Sequence, residues 1–228
     1  MTILVATGLE RERRLLADPG VEIVAGGGDP VRLEQTLDGL AAGKAGILSI
    51  GIAGGLVPEA TVGRWIVATA VVDADRSLPA DPAWRDRLAA RLPDALQGVV
   101  AGVDAIVAER ADKAALQRTT GAAAVDMESH VAARVARRHG LPFAVARVVS
   151  DPVHRTLPPA ARVGMRPDGG MDLPAVLRSL LADPLQLPAL IRTGLEAEKA
   201  FRALLRGHRL LGRGLAGPDL GELPLDVV

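Results

Sequence analysis

The chain has no cysteine and no tyrosine, two phenylalanines, two tryptophans and only three lysines, Lys44, Lys113 and Lys199. Without thiols there can be no disulfide, no thiolate metal site and no cysteine nucleophile. The four histidines lack metal-ligand spacing, so no metal is expected. Charge of one sign is missing too. Twenty-seven basic side chains balance 27 acidic ones, which argues against nucleic acid as the main partner. No apolar stretch is long enough to span a bilayer. The first apolar run, residues 3–6, is too short for a signal peptide, and an acid follows soon after. A cytoplasmic protein is the expectation.

What is present is a large apolar fraction, 49% of 228 residues, enough for one sizeable core. Residues 3–6 read as a buried first strand, Thr7-Gly8 as a turn and the charged segment from Leu9 as a helix. Residues 21–25 read as a second strand, Gly26-Gly27-Gly28 as a turn, and Asp29-Pro30 as the cap of a helix reaching about Leu40. The triple glycine lacks the G-x-x-x-x-G-K-[ST] pattern of a phosphate loop. Residues 46–50 read as a third strand, followed by a glycine-rich loop. Glycines there would let backbone amides approach an anion or a ribose oxygen. Residues 79–94 read as a helix in a polar connection, and Asp73 and Asp75 as surface residues.

The organising stretch is 122–151. Residues 122–125 form a continuous apolar run, suited to a strand covered on both faces. Asp126, Met127 and Glu128 follow where strand gives way to helix. Val131, Ala132, Val135 and Ala136 repeat at helical spacing, with Arg134, Arg137 and Arg138 left for the wet side. His139-Gly140 closes that helix. Residues 143–149 form another buried strand, delivering Ser150 and Asp151 at its carboxyl end, where open α/β sheets gather binding groups. Glu128 and Asp151 are thus expected in one pocket.

AVDMES (124–129) followed by RVVSD (147–151) resembles the nucleoside phosphorylase and methylthioadenosine/S-adenosylhomocysteine nucleosidase superfamily. The resemblance runs from residue 3 to about 155. It implies a three-layer α-β-α fold: a central mixed sheet flanked by helices, here with extra C-terminal helices. It further implies Asp151 as the acid that protonates the leaving purine and Glu12 as the carboxylate that activates water. Glu128 would hold the ribose hydroxyls and Met127 would pack on the sugar. Gly8, Gly51, Ile52, Ala53, Gly54 and Ser150 would border the same site. GVDAIV (102–107) is similar to the family's purine-binding segment, which implies Ile106 over the base and the Val107 backbone at its edge. With so few aromatic residues, stacking by a ring is not expected there. Ile52 stands where the family has a serine, and the phosphate-binding arginine and serine of phosphorylases are missing nearby. The acceptor, water or inorganic phosphate as co-substrate, stays open. No cofactor is implied.

Residues 154–171 are rich in proline, glycine and arginine and read as a loop, which in relatives covers the site. Residues 172–181 and 184–211 read as helices, the second basic and amphipathic. Such a helix can lie on an anionic bilayer, on its own domain or on a second subunit. A catalytic domain over 1–183 and a helical extension over 184–228 are therefore expected. SDPVHRTLPPAA (150–161) and LQLPALI (185–191) resemble one branch, the hopanoid-associated phosphorylases or adenosylhopane nucleosidases. That branch implies release of adenine from adenosylhopane, with peripheral contact at the inner face of the membrane. Two other readings stand beside it: a soluble methylthioadenosine or nucleoside cleaver, and a non-catalytic nucleoside- or lipid-binding protein. The superfamily implies a homo-oligomer.

Overall fold

The computed structural model describes residues 2–163, 166, 169, 170 and 172–218. Eight strands form one mixed sheet: β1 (Ile3–Thr7), β2 (Val21–Ala25), β3 (Gly46–Gly55), β4 (Trp65–Asp73), β5 (Arg76–Pro79), β6 (Leu96–Gly102), β7 (Ala124–Asp126) and β8 (Phe143–Asp151). The helices are α1 (Glu10–Leu15), α2 (Pro30–Leu40), α3 (Pro82–Arg91), α4 (Arg110–Thr120), α5 (Ser129–His139), α6 (Pro159–Arg162), α7 (Leu173–Ala182) and α8 (Leu187–Leu211).

Alternation along the central strands explains the three layers. Leu4, Ala6, Ile47 and Val145 face a core shared with Leu33 and Leu37 of α2 and Val131, Ala132 and Val135 of α5. Their neighbours Ile3, Val5, Leu48, Ile50 and Ala144 face the opposite core, built with Trp84 and Leu88 of α3 and Phe201 and Leu204 of α8. With side chains pointing to opposite faces at each step, a strand apolar throughout needs a helical layer on both sides. The caps follow local chemistry. Asp29 accepts from Arg32 N at 2.9 Å and Asp81 from Trp84 N at 2.7 Å, each just ahead of a proline in the first turn.

The sheet also closes on itself. β3 pairs parallel with β8 and antiparallel with β7, β8 pairs antiparallel with β4, β4 parallel with β6, and β6 parallel with β7. Five strands thus form a ring, with β1 and β2 continuing from β3 and β5 lying beyond β4.

Several sequence-based expectations need correction. The glycine-rich segment after Ile50 is strand, not loop: β3 runs on to Gly55 because β8 stays paired with it as far as Gly54↔Asp151. The segment 79–94 is no polar connection. β5 precedes α3, and Trp84 is fully buried, its indole N–H donating to Leu215 O at 3.2 Å. Asp73 is not free surface. It pairs at 3.0 Å with Arg134, which also reaches Glu34 at 2.9 Å, so Arg134 ties α5 to α2 and β4. The segment from 154 is anchored over its first half. Leu157 N donates to Ala108 O at 3.0 Å, Ala160 N to Gln186 Oε1 at 2.8 Å, and Arg155 pairs with Glu196 at 2.6 Å. Of the rest of the expected loop, residues 164, 165, 167, 168 and 171 lie outside the described residues; Gly169 O accepts from Glu10 N at 3.0 Å.

The second half of α8 is built into the fold: Ala200, Phe201, Ala203, Leu204 and Leu211 are buried. Its first half is not, and neither is α7. Leu173, Leu177, Leu181, Leu185, Leu187, Ile191 and Leu195 all stand exposed, Leu185 by 90%. Among the described residues no helix is long and apolar enough to cross a membrane.

Candidate active site

Four buried charges meet where β1, β3, β7 and β8 end. Glu12 lies one turn into α1 and is 1% exposed. Its Oε2 accepts from Gly8 N at 2.8 Å and Leu9 N at 2.7 Å, and its Oε1 from Ile52 N at 2.7 Å. The more exposed acid on this helix is Glu10, which takes Arg13 and Arg14 and is held down to a pKa of about 2 by those contacts. Burial pushes the Glu12 carboxyl up, against Arg147 and the three amides that favour its charge.

Arg147 is the centre of the cluster. It has no exposure, and its neighbours along β8 are apolar. Its Nε lies 2.6 Å from Asp126 Oδ2, an ion pair whose N–H direction is poor for a hydrogen bond. Nη1 lies 3.3 Å from Glu128 Oε2, and Nη2 donates to Ser49 Oγ at 2.5 Å. Asp126 has a second duty. Its Oδ1 accepts from Ser129 N at 3.0 Å and Ser129 Oγ at 2.6 Å, so Asp126 and not Glu128 caps α5. That leaves the Glu128 carboxyl, 6% exposed, beside Gly8, where a side chain would press against it: a Cβ on Gly8 would stand 2.8 Å from Oε1. Burial, with Asp126 and Glu12 adding repulsion, pushes Glu128 up to about 8 against the pull of Arg147.

Asp151 ends β8, 8% exposed. Oδ2 accepts from Lys113 Nζ at 2.5 Å, and Ser150 Oγ stands 2.9 Å from Oδ1 and 3.2 Å from Ala53 O. Burial raises its pKa, and Lys113 opposes that rise. Gly54 makes room for it, since a Cβ there would lie 3.2 Å from Oδ2. Glu12 therefore touches β3 at Ile52 and Asp151 touches it at Gly54, steps of ~3.3 Å along one strand.

The family model described as the phosphorylase superfamily matches residues 35–182, about two thirds of the chain. The chain belongs to that superfamily. A futalosine hydrolase of Streptomyces coelicolor is 31% identical over 210 residues, spanning 72% of this chain and 89% of the relative. Two solved members of the superfamily fold show the same architecture. A methylthioadenosine/S-adenosylhomocysteine nucleosidase of Colwellia psychrerythraea, in complex with adenine, superposes with a TM-score of 0.66 at 17% identity, covering 94% of this chain and 96% of that one. A futalosine hydrolase of Helicobacter pylori gives 0.60 at 17%, covering 92% and 97%.

Within this superfamily member the expected site residues gather unevenly. Gly8, Glu12, Gly51, Ile52 and Glu128 surround Arg147, and Ala53, Gly54 and Ser150 surround Asp151. Met127 lies between Asp126 and Glu128, half-buried. Val107 is half-buried against the small cluster of Leu56, Ala101 and Val125, whereas Ile106 is exposed, so it is not an ordinary core residue. Two surface clefts, of about 280 and 610 Å³, are lined by neither Glu12, Glu128 nor Asp151. Among the described residues no group of three or more His, Cys, Asp or Glu could hold a metal ion.

The sequence reading missed Arg147, Asp126 and Lys113 as parts of the site, and His130. His130 is buried and its Nε2 lies 2.9 Å from Asp104 Oδ1, tying α5 to the loop after β6. The signals were there for two of them: Arg147 is the single charge in the apolar run 143–149, and Lys113 is one of three lysines.

Proposed function

We propose that the protein is a purine nucleosidase that hydrolyses the N-glycosidic bond. The observation that carries this is the pairing of two buried carboxyls in different settings, Glu12 held by three amide donors and Asp151 held by an ammonium. Asp151, its proton retained by burial, gives it to N7 of the purine as the C1′–N9 bond breaks, and the bonding electrons leave with the base. Glu128 binds the ribose hydroxyls, and its oxygens favour positive charge on the ribosyl ring. Water supplies oxygen to C1′ and its proton passes to Glu12. Exchange with solvent then resets both carboxyls.

Water rather than phosphate fits the site's charge. The amides of Gly8, Leu9 and Ile52, which would suit an anion, already serve Glu12. Arg147 is already engaged by Asp126 and Glu128, so its charge is not available to a phosphate.

For the substrate, we propose an adenine nucleoside with a bulky apolar 5′ group, adenosylhopane, handled by a homo-oligomer at the inner face of the membrane. The tail motifs at 150–161 and 185–191 support the branch, and the exposed aliphatic side chains of α7 and early α8 support a lipid contact. A second reading, futalosine as substrate, draws on the 31% identity to the Streptomyces coelicolor hydrolase. Mass spectrometry of adenosylhopane, futalosine, methylthioadenosine and adenosine, each with and without phosphate, tests both. The expected result is free adenine and an unphosphorylated ribosyl product from adenosylhopane, with phosphate making no difference. Tight nucleoside binding with no base released from any of the four would leave a binding protein instead.

A further inference from the structure

We infer that Lys113 is a positioning residue for the general acid, one that sets which oxygen of Asp151 carries the transferable proton and how readily it leaves. The inference rests on the nucleosidase reading and deepens it.

Lys113 rises from the first turn of α4 and its side chain has no exposure. Its three N–H donors are matched by three acceptors: Asp151 Oδ2 at 2.5 Å, Pro152 O at 3.3 Å and Arg155 O at 3.2 Å. Burying an ammonium this deeply is costly, and an apolar side chain of similar length would fill the space at less cost. A lysine kept there, in a chain that otherwise prefers arginine, points to its charge rather than its bulk. Other charged groups stand further off: Glu196 on α8, which opposes ionisation of Asp151, is itself paired with Arg155.

The chemistry follows from the contact. An ammonium on Oδ2 leaves Oδ1 to carry the proton that moves to N7, with the Ser150 hydroxyl beside Oδ1 turned to Ala53 O, its other acceptor. Once it has moved, Asp151 is a carboxylate in a nearly dry site, and the Lys113 ammonium, its own protons unchanged, is the nearest compensating charge. Without Lys113, burial alone would make the acid too weak to release its proton at the rate the leaving base requires. The two carbonyls hold Nζ in place, so the segment after β8 is tied to the proton donor.

The test compares wild type with Lys113→Met and Lys113→Arg on two substrates. One is a purine nucleoside that the wild type cleaves. The other is 4-nitrophenyl ribofuranoside, whose leaving group departs without protonation. For Lys113→Met the ratio of purine to nitrophenyl turnover falls at least tenfold, KM for the purine nucleoside stays within about twofold, and the basic limb of the kcat profile moves to higher pH. Lys113→Arg restores part of the ratio. Equal loss on both substrates with an unmoved basic limb would reduce Lys113 to a structural clamp and overturn the inference. Should both variants fail to fold, NMR of the wild type decides: the Lys113 Nζ resonance must shift as Asp151 Cγ titrates, and a resonance that ignores that step rejects the coupling. A wild type that releases no base from any nucleoside defeats the nucleosidase reading, a result distinct from either.

Discussion

Arg147 Nε and Asp126 Oδ2 lie 2.6 Å apart with no solvent on either side chain, and Asp126 simultaneously caps the helix that presents Glu128. One ion pair therefore holds both the fold and the segment that carries the Glu128 carboxyl. Arg147→Met leaves Asp126, Glu128 and Glu12 without the cation that faces all three. Breaking a buried pair on one side costs about 3–5 kcal/mol. Urea denaturation is expected to show a loss of that size. A change below about 1 kcal/mol would mean the pair is dispensable.

Asp151→Asn removes the acid proposed to protonate the base while keeping the shape that Gly54 accommodates. Purine release is expected to fall by ~10²–10⁴, the usual worth of general acid catalysis. Substrate affinity and the melting temperature should change little. Near-normal adenine release in this variant would remove Asp151 from the mechanism.

Glu12→Gln keeps an acceptor for at most two of the three amides and cannot take a proton from water. Turnover should fall by about 10² or more, without rescue by added phosphate, and bound nucleoside should survive intact long enough for detection by equilibrium dialysis. Phosphate-dependent recovery would show that the site accepts that anion after all.

Glu128 contributes to the pH dependence of stability, in the same direction as the raised Glu12 and Asp151 carboxyls. Its folded pKa is raised to about 8 from an ordinary 4.5, first by burial. The folded state therefore holds this proton more tightly than the unfolded chain does. Its stabilising contribution is complete below about pH 4.5 and is lost as pH rises toward 8. Melting temperature should decline across that window, and Glu128→Gln should flatten the decline. An identical pH profile in the variant would assign the effect to another group.

Deleting residues 184–228 is expected to unfold the protein rather than trim it. Phe201, Leu204 and Leu211 are buried against the sheet, and burial of such side chains contributes roughly 1.5–3 kcal/mol each, a sum comparable to the net stability of a whole domain, ~5–15 kcal/mol. Circular dichroism of the truncated chain checks this. Lipid contact is better probed by Leu181→Glu with Leu185→Glu, exposed positions whose change should weaken liposome sedimentation without shifting the melting temperature.

Most strands and helices were legible because apolar runs and glycine or proline punctuation reflect backbone physics directly, whereas their three-layer arrangement was implied by the motif resemblance. The same resemblance singled out Glu12, Glu128 and Asp151, which the structure buries. Lys113 was not, because a lysine in an amphipathic helix looks solvated until tertiary packing closes over it. Asp126 was passed over because the capping acid and the site acid sit two residues apart, and only the hydrogen bonds to Ser129 separate their tasks. The ring closure was invisible as well, since β7 is three residues long and its pairing with Gly54 and Gly55 carries no periodic signal.

That five-strand ring has a consequence for how this enzyme could change its diet. A hoop with every strand bonded to two neighbours cannot be pried wider to seat a larger molecule. Bulk must be met beyond its rim, by the turns after β1, β6 and β8. Swapping those turns between superfamily members should transfer preference for the 5′ substituent, while the bond that is cut stays the same.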